Sequence, residues 1–144
     1  MIPLQPEDVP ELGRLHRACF PLDQVWSPQS FAELLADAGL MGWRVEVGRR
    51  SVGFILGRII VDEVELLTLA VLADYRRQGL AGQLIGQFVA ASRARGAVKI
   101  FLEVAENNDP ALKLYAKTGF RPISRRWNYY PGGLSAHVLL LDLV

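Results

Sequence analysis

The segment from Leu66 to Gly82 constrains the fold more than any other part of the chain. It reads Leu-Leu-Thr-Leu-Ala-Val-Leu-Ala-Asp-Tyr-Arg-Arg-Gln-Gly-Leu-Ala-Gly: a strand, a turn bearing arginines and a glycine, then a helix start. The strands ahead of it are joined tightly. Trp43–Val47 alternates, Gly48 to Ser51 is a turn, Val52–Val61 is a longer strand, Asp62-Glu63 turns again, and Val64–Val71 follows. Connections this short join antiparallel neighbours, so the run is a meander. The helix after Gly79 carries Leu80, Leu84, Ile85, Phe88 and Val89 on one side and ends near Gly96, and Val98–Val104 is the next strand. That strand–helix–strand unit is a crossover.

The flanks complete the order. Pro6 to Ala18 reads as a helix, with Val9, Leu12, Leu15 and His16 at three- and four-residue spacing. Ser27-Pro28 is an N-cap with proline at the first position, opening a helix from Pro28 to about Ala38 with Phe31, Leu34 and Leu35 as its apolar stripe. A helix opens at Asn108-Asp109-Pro110 and runs to Thr118, with Gly119 as its C-terminal glycine. Two strands, about Arg121–Asn128 and Ala136–Leu143, flank a Pro131-Gly132-Gly133 loop. Meanders plus a crossover make the fold class α+β around one mixed sheet.

Composition narrows the function. At 144 residues the chain fits one domain, residues 1–144, large enough to fold on its own core. Its single cysteine, Cys19, excludes a disulfide framework and a cysteine-based zinc site. The formal charge of +1 argues against a nonspecific nucleic-acid binder. Mean hydropathy is +0.19, yet no segment is long and apolar enough to span a membrane, and Met1 to Glu11 lacks the pattern of a signal peptide. The expected compartment is the cytoplasm. His16 and His137 share no metal-ligand spacing and read as packing or surface residues, and no metal is expected. Cys19 reads as a small buried hydrophobe, far in sequence from the turn at Arg76.

Residues 76 to 81 have the form Arg-x-x-Gly-x-Ala at a helix start. The first N–H groups of a helix lack intrahelical partners, and the positive dipole end adds to their pull on an anion. Gly79, Ala81 and Gly82 are small enough for a diphosphate to approach the backbone, and Arg76 and Arg77 add charge. No Gly-Lys-Ser/Thr follows, so this is not a Walker loop, and the hairpin-linked strands exclude a dinucleotide fold. An ordinary helix start with exposed arginines remains the alternative on spacing alone.

The strand–Arg-Arg-x-Gly-x-Ala–helix unit resembles the coenzyme A motif of the GCN5-related N-acetyltransferase (GNAT) family. The resemblance covers essentially the whole chain. It is closest in type to the ribosomal-protein-alanine N-acetyltransferases (RimI type), through Trp26 to Phe31, Leu66 to Gly82, Phe101 to Asn108 with Ala111, Leu114, Tyr115, Gly119 and Phe120, and Arg125 to Pro131. It implies the order β-α-α-β-β-β-α-β-α-β-β, with a mostly antiparallel sheet and a first strand ahead of the helices. It implies acetyl-CoA as donor and a protein N-terminal amine as acceptor, the N-terminal alanine of a small-subunit ribosomal protein. A small-molecule amine, a lysine side chain, or noncatalytic acetyl-CoA binding are the alternatives. A monomer or weak dimer is expected, without direct nucleic-acid or membrane contact.

By the same resemblance, Leu69, Ala70 and Val71 would meet the acetyl and pantetheine end through their backbone. Arg76, Arg77, Gln78, Gly79, Leu80, Ala81 and Gly82 would cradle the diphosphate, and Asn108 would bind coenzyme A. Glu103 would be general base and Tyr115 general acid, while a Val71 N–H would stabilise the oxyanion. Lys99, Phe101 and Glu103 share one strand face, with Ile100, Leu102 and Val104 on the other. The acceptor end would involve Trp26, Trp127, Tyr129 and Tyr130, the alternative being that Trp127 and one tyrosine are core. Where the family commonly has an acidic residue before Ala136, this chain has Ser135, which sets the last hairpin apart.

Overall fold

Alternating strands and two tight turns build the centre of a seven-stranded sheet. The structure is a computed structural model describing residues 1–144. Its elements are β1 (Ile2–Pro3), α1 (Val9–Cys19), α2 (Pro28–Leu35), β2 (Leu40–Val47), β3 (Arg50–Ile60), β4 (Glu63–Val71), α3 (Leu80–Ala94), β5 (Lys99–Ala105), α4 (Asp109–Lys117), β6 (Arg121–Arg126) and β7 (Ala136–Asp142). The sheet order is β1-β2-β3-β4-β5-β7-β6. The β4–β5 pair is parallel, with α3 as its crossover, and the others are antiparallel.

Both faces of the sheet are covered. On one side Leu84, Ile85 and Phe88 of α3 pack over Ile55, Val64, Leu66, Ile100 and Leu102. On the other, Leu12 and Leu15 of α1 and Phe31 and Leu35 of α2 pack over Phe54, Leu56 and Ala70. β3 lies between them, and its residues from Ser51 to Gly57 are all buried. Gly57 is required there: a Cβ would fall 2.3 Å from the Glu65 carbonyl oxygen and 2.6 Å from Phe88.

Two irregularities in β4 shape the molecule. First, Gly57 pairs with Leu66 but Leu56 pairs with Thr68, so Leu67 is an extra residue in a β-bulge. Uninterrupted alternation would place Thr68 on the face of Leu66. The bulge instead turns Thr68 towards α1 and α2, alongside Leu56 and Ala70. Second, the β4–β5 ladder ends at Leu66–Leu102. Beyond that pair each strand continues without the other, and the gap between them opens a cavity.

The element ends depart modestly from the sequence pattern. α2 stops at Leu35 rather than Ala38, because Asp37 forms a turn whose carboxylate accepts the Gly39 N–H at 2.7 Å. β2 begins at Leu40 rather than Trp43, since Leu40 pairs with Arg58. β6 ends at Arg126 rather than Asn128, where a φ of 53° breaks the extended run. No helix is long and apolar enough to cross a membrane.

Candidate active site

The gap between β4 and β5 widens into a cavity of about 410 Å³. Six residues singled out from the sequence line it: Trp26, Leu69, Glu103, Asn108, Tyr115 and Tyr130. They arrive from five places in the chain, the α1–α2 connection, β4, β5, α4 with its cap, and the β6–β7 hairpin.

Glu103 is on the β5 face opposite buried Ile100, Leu102 and Val104, as alternation requires. Its side chain is mostly buried, and its Oε1 lies 2.9 Å from the Arg126 Nε. Hydrogen bonding to the Glu103 carboxylate, with burial and its charge, pushes the Tyr129 phenol up to about 12. Burial, then the same charge, raises Tyr130. The carboxylate thus lies among a guanidinium and two protonated phenols. Tyr115 is buried with its ring edge-on to Phe120 at 5.5 Å. Burial raises its phenol well above the ordinary range, so near neutrality it is protonated.

The turn before α3 has the backbone geometry of an anion-binding concavity. Arg77 and Gly79 adopt left-handed φ values of 62° and 80°, curling the chain into the helix. Left-handed turns of this kind turn successive N–H groups into an anion-binding concavity. No side chain caps α3 and no acidic residue lies in its first turn, so its leading N–H groups remain available. Nothing lies within 4 Å of where a Gly82 Cβ would be, leaving room above that turn. These features fit a diphosphate. Arg76 is tied to the strand end: its Nε donates to the Val71 carbonyl at 2.8 Å. Asn108 also has a second task, capping α4 by accepting the Ala111 N–H at 3.3 Å.

Other expected residues fall outside the cavity. Ala70 and Val71 are buried on either side of the sheet. Trp127 and Tyr129 are exposed, at 69% and 48%. Neither is core: Arg125 lies over the Trp127 ring at 4.2 Å and Arg126 over that of Tyr129 at 5.4 Å. The hairpin is braced from below by Ser135. Its N–H donates to Glu106 at 3.3 Å, its hydroxyl accepts from the Asn128 N–H at 3.3 Å, and Glu106 also pairs with Arg125.

Three residues sit closer to the site than their place in the sequence suggests. Cys19 is distant in sequence from the turn yet close in space, its thiol 3.5 Å from the Val71 carbonyl and beside Arg76. Burial raises its pKa against the opposing effect of Arg76, which keeps it a thiol. His16 is indeed a packed residue, but it also lines the cavity. Thr68 lines it too, and its buried hydroxyl has no partner. A polar residue in a buried stripe was the available signal for both. The bulge that aims Thr68 had no sequence signature.

A model of the acetyltransferase (GNAT) family matches residues 9–120. A [ribosomal protein bS18]-alanine N-acetyltransferase of Escherichia coli strain K12 is 33% identical over 106 residues, covering 74% of this chain and 71% of the relative. Its fold matches as well: the crystal structure of the Escherichia coli ribosomal-protein-S18-alanine N-acetyltransferase superposes with a TM-score of 0.91 at 27% identity, over 98% of this chain and 91% of that one. Arabidopsis thaliana Naa50, solved with the bisubstrate analogue CoA-Ac-MVNAL, gives 0.84 at 26% identity, over 96% and 95%. The chain belongs to the GNAT family of acetyltransferases. It is an acetyl-CoA-dependent N-acetyltransferase.

Proposed function

We propose that the enzyme acetylates the N-terminal alanine of a small-subunit ribosomal protein, with Glu103 and Tyr115 as its proton-transfer pair. The observation that carries this reading is the one cavity lined by both side chains. The acceptor follows the Escherichia coli relative, a bS18-alanine N-acetyltransferase.

Acetyl-CoA, when bound, supplies an acetyl group activated as a thioester. The turn from Arg77 to Gly82 holds its diphosphate on the free N–H groups of α3, and the backbone of Leu69 to Val71 borders the acetyl arm. Asn108 contacts it from the rim of α4. Arg76 supports the turn from behind through Val71.

The acceptor must attack as a neutral amine. An α-amine with pKa near 8 is about 10–20% neutral at pH 7, against about 0.04% for lysine. Glu103 therefore has one readily released proton to take. Arg126 occupies Glu103 before the acceptor arrives, and the incoming ammonium competes with it. Arg126 is 57% exposed, so its guanidinium can swing into solvent as the ammonium takes its place beside Glu103. Tyr115, protonated near neutrality, gives its phenolic proton to the departing sulfur.

The test is transfer from acetyl-CoA to synthetic peptides, with the acetyl group located by fragmentation mass spectrometry. Acetyl on the α-nitrogen of an alanine-initiated ribosomal-protein peptide is expected. Turnover confined to lysine side chains or small amines would overturn the reading.

A further inference from the structure

His16 is the most deeply buried ionisable side chain on the cavity, at 1% exposure. Its ring stacks on Phe20 at 4.2 Å, tilts against Trp26 at 5.2 Å and meets the edge of Phe31 at 5.5 Å. Its Nδ1 accepts the Trp26 N–H at 3.3 Å. An accepting nitrogen carries no proton, so the single proton of the neutral imidazole is on Nε2. Burial alone, with no charged neighbour contributing, holds the ring neutral near pH 7. Nε2 makes no hydrogen bond within the protein and, unlike the Thr68 hydroxyl, keeps some accessible surface on a residue that lines the cavity. The site is a fixed N–H donor in an aromatic wall.

The chemistry of that donor selects its ligand. An N–H cannot receive the amine's own protons, which fall to Glu103 on the same cavity. It needs an oxygen acceptor close to the reacting nitrogen. In a peptide the nearest is the first backbone carbonyl, three bonds away. His16 is also on the α1–α2 side with Phe20, Pro21, Gln24 and Trp26, whereas Asn108, Pro110 and Ala111 form the α4 side of the cavity. Resting on the assignment of a peptide N-terminus as acceptor, we propose that the Nε2–H of His16 binds the first peptide carbonyl of the acceptor. His16 is then a binding residue that separates peptides from simple amines, and its Nδ1 bond to Trp26 fixes its orientation.

The test separates the two ring nitrogens. His16→Asn retains an acceptor at the Nδ1 position and lacks the distal donor, whereas His16→Gln retains a donor near Nε2. Each is assayed with an alanine-initiated peptide and with its alkene isostere, in which the first amide carbonyl is absent. For His16→Asn the KM for peptide rises roughly tenfold, the loss of one buried hydrogen bond, while the KM for acetyl-CoA stays constant. The wild-type enzyme prefers amide over alkene by a similar factor. His16→Asn loses that preference and His16→Gln retains it.

Equal amide and alkene rates for the wild-type enzyme overturn the proposal, and need no variant to fold. An undiminished preference in His16→Asn, or its disappearance in His16→Gln, overturns it too. A parallel rise in both KM values assigns the donor to a cosubstrate carbonyl instead. If the wild-type enzyme acetylates no peptide, the acceptor assignment itself has failed; if it does and the variants match it, only the role of His16 has.

Discussion

Acid should destabilise this protein through His16 before its carboxylates respond. Burial lowers the His16 pKa from 6.5 to about 4 in the folded state. The unfolded chain therefore binds the proton more readily, and stability rises with pH across that window. The contribution is fully present above pH 6.5, falls as the pH drops, and is lost by about 4. A tenfold difference in proton affinity between the folded and unfolded chains is worth about 1.4 kcal/mol, so the full span is worth about 3 kcal/mol. At pH 5 the loss is about 2 kcal/mol. Carboxylates with lowered pKa, such as Glu11 and Glu106, add their own dependence at lower pH. Subtracting the curve of a non-titrating variant removes them. The assay is urea unfolding of wild type and His16→Asn at pH 7, 6 and 5. With a urea slope of about 2 kcal/mol per molar, the wild-type midpoint should fall about 1 M further than the variant's between pH 7 and 5. Parallel midpoints across that range would refute the claim of a buried, neutral imidazole.

Other perturbations probe the scaffold. Gly57→Ala should lose about 3 kcal/mol or more, because its Cβ strikes the Glu65 carbonyl and Phe88; an unchanged thermal midpoint would contradict the packing described. Thr68→Val should be about 1 kcal/mol more stable in urea, since it removes a buried hydroxyl without a partner; a loss of stability would reveal one. Gly79→Ala, at a φ of 80°, should cost about 1 kcal/mol in thermal unfolding and raise the KM for acetyl-CoA, and an unaltered KM would disconnect the turn from the diphosphate.

Much of the framework follows from local rules. The alternation in β5 correctly separates Glu103 from Ile100, Leu102 and Val104, and Pro110 and Gly119 bracket α4. Less legible is whatever depends on distant pairing. β1 is two residues long and is a strand only because Ile2 and Pro3 pair with Arg44 and Trp43. All six residues of β6 are exposed, so no buried face announces it, and β7 inserts between it and β5. The bulge at Leu67 reverses which side Thr68 faces, a change that depends on the register of β3. His16 and Cys19 occupy successive turns of one helix and read alike as packing. Only the fold brings the first to the cavity and the second to Val71.

The central claim is that Glu103 and Tyr115 move the protons of acetyl transfer in one cavity. Its most direct test is the kcat of Glu103→Gln and Tyr115→Phe with an alanine-initiated ribosomal-protein peptide, measured beside acetyl-CoA binding. Each variant should bind acetyl-CoA like the wild type and lose about a hundredfold or more in kcat, the usual contribution of general acid–base catalysis. Full kcat in both variants would contradict the assignment.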